Sequence, residues 1–110
     1  MLKRVVISGI GGISALGRNW ASIRQGLAAY ENAVVAMPEW DRYPELNTRL
    51  AAPIRDFAVP AHWTRKQLRS LGRVSQLCVA AAEDALTDAG LLGEALIRDG
   101  RMGVACGSSV

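Results

Sequence analysis

Eight apolar positions in one stretch constrain this chain most. Val74, Leu77, Cys78, Ala81, Ala82, Ala85, Leu86 and Ala89 recur at spacings of three and four, while Glu83, Asp84 and Asp88 fall off that stripe. A repeat near 3.6 marks an amphipathic helix lying on a core, and Gly90 supplies its stop. Half of the stripe is alanine, so whatever it packs against comes close. The whole chain shares this bias: 17 alanines and 11 glycines stand against six aromatics in 110 residues. Small residues suit helices laid closely on a sheet better than the interior of a β-sandwich.

Two short apolar runs frame that helix. Val5-Val6-Ile7 leads through Ser8 into Gly9, and Met102 to Cys106 is closed by Gly107-Ser108-Ser109. Each reads as a strand buried on both faces. After the first, Gly9, Gly11 and Gly12 make a loop. Asn19 can cap a short helix from Trp20 to Gln25, with Gly26 as its stop and Trp20, Ile23 and Leu27 on one face. From Met37 to Pro60 four prolines and mixed charges leave a long irregular excursion, with a small strand expected at Arg49 to Ala52. The order β, helix, excursion, helix, β predicts an α/β layered architecture with parallel strands. Two strands cannot cover a parallel sheet, so residues 1–110 are expected to be a single-domain fragment, the opening segment of a larger domain.

Composition narrows the function. Half the residues are apolar and 21% are charged, which excludes a disordered chain. The net charge of +3 is too mild to announce a nucleic-acid binder. Two cysteines and one histidine exclude most zinc sites. The longest uncharged run, Val5 to Gly17, falls well short of the ~20 residues of a membrane helix. Met1-Leu2-Lys3-Arg4 and Ala15-Leu16-Gly17 imitate a secretory signal, but the glycines interrupt its apolar stretch. A cytoplasmic location is expected, with neither nucleic acid nor membrane as partner.

Four candidates for chemistry remain. Gly9-Ile10-Gly11-Gly12-Ile13-Ser14, with Glu31 as a ribose ligand, suggests a dinucleotide loop. Its third position is serine, and the next helix starts too late to place an N-terminus under a pyrophosphate. Arg65, Lys66, Arg69 and Arg73 hold the entire positive excess, since without them nine basic groups face ten acidic ones. With Lys66, Arg69 and Arg73 on one helix face, the cluster is either a solvated helix end or a docking patch for an acidic protein or phosphates. Cys106 and Cys78 are expected to be inert buried thiols, because an apolar setting does not activate sulfur. His62 has no obvious Cys, Ser or carboxylate partner. Trp40, Tyr43, Phe57 and Trp63 are expected to anchor the excursion.

Several stretches together resemble the elongating β-ketoacyl-[acyl-carrier-protein] synthases. These are the run from Val5 to Gly17, Arg49-Leu50-Ala51-Ala52-Pro53-Ile54-Arg55-Asp56-Phe57, Arg65-Lys66 with Arg69 and Leu71, the alanine-rich Ala80 to Leu91, and Arg101 to Ser108. Met37-Pro38-Glu39-Trp40-Asp41-Arg42-Tyr43 also looks like synthases of bacterial aryl-polyene pathways. The resemblance implies a thiolase-type α/β/α/β/α fold, a homodimer or a heterodimer with a related subunit, and decarboxylative condensation of an acyl thioester with malonyl-acyl carrier protein. It implies no bound cofactor, since phosphopantetheine arrives on the carrier protein, and no metal. The family's catalytic cysteine and two histidines match no position here, so the chain alone is expected to be inactive. Lys66 and Arg69, with Arg65 and Arg73 as lesser candidates, fall near the family's carrier-protein site. A nucleotide-binding α/β domain, a non-catalytic partner subunit and a basic interaction module stand as alternatives.

Overall fold

The computed structural model describes residues 1–109. Its first helix, α1 (Trp20–Ala28), begins at a reciprocal cap: the Ser22 N–H donates to Asn19 Oδ1 at 2.9 Å, and the Asn19 N–H reaches Ser22 Oγ at 3.4 Å. The cap is the one expected at Asn19, but Gly26 does not stop the helix. It is buried within α1, where a Cβ would meet Leu16 Cδ2 at 3.5 Å. The chain turns out of α1 instead at Tyr30, whose φ of 57° lets the Glu31 N–H donate to Gly26 O at 2.9 Å.

Two two-residue strands follow. β1 (Val35–Ala36) pairs antiparallel with β2 (Leu50–Ala51), Val35 opposite Ala51 and Ala36 opposite Leu50. β2 lies inside the strand expected at Arg49 to Ala52. The excursion between them carries a 3-10 turn at Pro38–Trp40. Next come α2 (Arg65–Leu68) and α3 (Arg73–Asp88). α3 occupies the predicted stripe, and Gly90, at φ 70°, ends it, with the Leu91 N–H donating to Leu86 O at 2.8 Å.

The alanine stripe has a specific use. A Cβ on Gly11 would collide with the Ala81 carbonyl oxygen and lie 2.7 Å from Ala85 N; one on Gly9 would lie 2.8 Å from Ala89 Cβ. The loop backbone therefore rests directly on α3, which only glycine against alanine permits. Two polar contacts hold the same seam: the Ile10 N–H donates to Asp88 Oδ2 at 2.9 Å, and Arg18 pairs with Asp84 at 2.9 Å.

The expected buried strands are not formed among the described residues. Val5–Ile7 and Met102–Cys106 have no ladder partner, and Val5 is 92% and Val104 89% exposed. A doubly buried parallel strand needs a neighbouring strand along each edge, and among the described residues no strand pairs with either run. The one sheet is antiparallel because β1 and β2 are joined through the excursion rather than a crossover helix. Ile23, Met37, Trp63 and Ala80 are the buried apolar side chains. A radius of gyration of 17.5 Å exceeds the ~13 Å of a compact domain of this length. No helix among the described residues is long and apolar enough to cross a membrane.

Candidate functional site

The basic cluster divides. Thr64 caps α2: the Gln67 N–H donates to Thr64 Oγ1 at 3.3 Å, and the Thr64 N–H to Gln67 Oε1 at 2.8 Å. This turn projects Arg65 and Lys66, with Arg69 one turn on at its C-cap, and all three are exposed. No carboxylate among the described residues pairs with any of them. Arg73 does not continue their face. The helix breaks at Ser70–Gly72, and Arg73 opens α3 with Gly72 as its N-cap. Its guanidinium donates to Ile54 O and sits 5.9 Å from the Phe57 ring. Arg18 lies 5.5 Å from the same ring, so Phe57 lies near two arginines and the end of the excursion is fastened to α3. Arg73 is thus tied to Ile54 and Phe57 at the start of α3, while Arg65, Lys66 and Arg69 lie on and just after α2.

Beneath α2 lies its anchor. Trp63 is buried, and its Nε1–H donates to Glu83 Oε1 at 3.0 Å. His62 has the carboxylate partner the sequence did not reveal: its Nε2 lies 3.1 Å from Glu83 Oε2. Twenty residues separate this pair of side chains from Glu83, so no local spacing could announce the contact. Between α2 and α3 a cavity of about 270 Å³ is lined by Trp63, Gln67, Ser70, Leu71, Val79 and Glu83. Of the aromatics expected to anchor the excursion, Trp63 and Phe57 do so, whereas Tyr43 is 46% exposed under Arg42.

The glycine loop cannot take a dinucleotide. The space that a pyrophosphate would need beside Gly9 and Gly11 is filled by the α3 backbone. The N-terminus of α1 is satisfied by Asn19, and the Glu31 carboxylate lies against Gly26 at the far end of α1. Nor are the cysteines buried as expected. Cys78 and Cys106 are both exposed and share a cavity of about 500 Å³. A hydrogen bond that the Cys78 thiol donates to Cys106, and then the charge of a Cys106 thiolate, push the Cys78 pKa above its ordinary value. Among the described residues no group of three or more His, Cys, Asp or Glu side chains is placed to hold a metal.

Comparison with known proteins accounts for this arrangement. Residues 2–110 match the family described as "Beta-ketoacyl synthase, N-terminal domain". The structure superposes on a β-ketoacyl synthase from Burkholderia phymatum with a TM-score of 0.87 and 57% identity, covering 98% of this chain and 26% of that one. Nodulation protein E of Rhizobium leguminosarum bv. trifolii is 41% identical over 92 residues, 83% of this chain and 22% of that protein. The 3-oxoacyl-[acyl-carrier-protein] synthase 2 of Staphylococcus aureus is 30% identical over 94 residues, 81% of this chain and 21% of that one. The fold is thus the α/β thiolase type. The chain belongs to the β-ketoacyl synthase family, in the family's N-terminal domain. It spans about a quarter of the length of the relatives it matches.

Proposed function

We propose that these residues form the N-terminal part of a condensing enzyme that joins an acyl thioester to a malonyl group carried on acyl carrier protein, with loss of carbon dioxide. Family membership supports the chemistry. The part proposed for this segment is to receive the carrier protein, and the observation that carries it is the exposed, unpaired trio Arg65, Lys66 and Arg69. Three cations on one capped turn, with no carboxylate among the described residues paired to them, favour a small acidic partner by steering its approach and fixing its orientation. The turn stands on the Trp63–Glu83 contact, so its geometry is set before the partner arrives.

The reacting groups are proposed to lie outside these residues. Cys106 lies beside another thiol rather than a histidine or a helix N-terminus, a setting that does not activate a nucleophile. His62 is exposed and engaged with Glu83. Binding of an acidic acyl carrier protein to the intact protein, followed by calorimetry from low to high salt, tests the docking role. Affinity should fall steadily as salt rises. Salt-independent affinity would remove the electrostatic basis of the proposal.

A further inference from the structure

The condensation chemistry leaves two thiols without a role, and the fold brings them together from distant parts of the chain. Cys78 lies midway along α3, and Cys106 lies in the unpaired run near Gly107. Both line the cavity of about 500 Å³, along with Leu71, Val74, Val79 and Gly107. Both are exposed. The backbone on the Cys106 side has room to adjust, since a Cβ on Gly103 or Gly107 would meet nothing within 4 Å. That freedom matters because a disulfide tolerates only a narrow Cα separation, about 4.4–6.8 Å.

We propose that Cys78 and Cys106 are a redox-sensitive pair that closes into an intramolecular disulfide, fastening the segment 106–108 to α3. The oxidant is a small dialkyl disulfide such as oxidised glutathione. One protein thiolate attacks a glutathione sulfur, breaking the S–S bond and releasing one glutathione thiolate. The second protein thiolate attacks the resulting mixed disulfide at the protein sulfur and releases the other. The two protein sulfurs lose two electrons, glutathione disulfide gains them, and the two thiol protons end on the two glutathione thiols. The hydrogen bond to Cys106, which favours the protonated Cys78 thiol, slows its attack at neutral pH. Because the Cys78 pKa is raised, its thiolate fraction climbs about tenfold for each pH unit below that pKa, and closure accelerates with it. The pairing does not depend on the docking reading.

The test is oxidation of the purified intact protein with oxidised glutathione at mildly alkaline pH, then acid quenching and peptide mapping. The expected product joins the tryptic peptide 74–98 to the peptide beginning at Met102, with loss of two hydrogens and reversal by dithiothreitol. Cys78→Ser and Cys106→Ser should each leave a stable glutathione adduct on the remaining cysteine. Serine is close in size to cysteine, and differential alkylation of the wild-type protein gives a readout that needs no variant. Adducts on both cysteines without the cross-link, two free thiols after oxidation, or a bond from either to a different cysteine would overturn the pairing.

Discussion

The indole N–H of Trp63 donates to Glu83 at 3.0 Å, so one carboxylate on α3 holds the loop that launches α2. Trp63 is buried, and the loss of that acceptor would leave its N–H without a protein partner. Glu83→Ala should therefore destabilise the intact protein by about 1–3 kcal/mol. Glu83→Gln keeps an acceptor and should cost roughly half as much or less. Urea unfolding of the two variants checks the order. Equal stability of both with the wild type would show that the contact does not hold α2.

Gly11 is fixed by the backbone of α3 rather than by a ligand. Gly11→Ala must push the Ala81 carbonyl aside and should destabilise by about 1–3 kcal/mol, the usual cost of overfilling a packed contact. Gly103→Ala meets open space and should stay within about 0.5 kcal/mol of the wild type. Thermal melting of both variants decides it. A harmless Gly11→Ala would mean the loop does not press on the helix.

Arg73 should separate from its basic neighbours in experiment. It donates to Ile54 O and lies near Phe57, so Arg73→Ala should cost about 1–2 kcal/mol of stability. The same change should leave the apparent KM for carrier-bound substrate within about twofold. A large KM effect at unchanged stability would return Arg73 to the docking face.

What could be read from the sequence followed from local rules. The stripe from Val74 to Ala89, the Asn19 cap and the Gly90 stop depend on residues within a few positions of each other, and all three stand in the structure. Gly26 is ambiguous in sequence because glycine serves both to end helices and to let a neighbour come close, and here the Glu31 carboxylate, 3.2 Å from where a Cβ would stand, makes the second use. The strands at Val5–Ile7 and Met102–Cys106 are written in β-branched and apolar residues, yet a strand exists only with a partner beside it. Spacing alone groups Arg73 with Lys66 and Arg69, but the break at Ser70–Gly72 puts it on a separate helix. The contacts of His62 and Trp63 with Glu83, and the cavity shared by Cys78 and Cys106, are tertiary, so no periodicity carries them.

The proposed docking role is tested most directly by the kinetics of the intact protein carrying Lys66→Glu with Arg69→Glu. Both side chains are exposed and outside every ion pair among the described residues, so the fold should survive the reversal. Acyl carrier protein substrate should show an apparent KM raised several-fold at low salt, with the difference from wild type shrinking as salt screens the charges. Small thioester mimics, which lack the acidic carrier, should react at nearly the wild-type rate. Carrier-protein kinetics identical to wild type at every ionic strength would contradict the assignment of Arg65, Lys66 and Arg69 as the docking face.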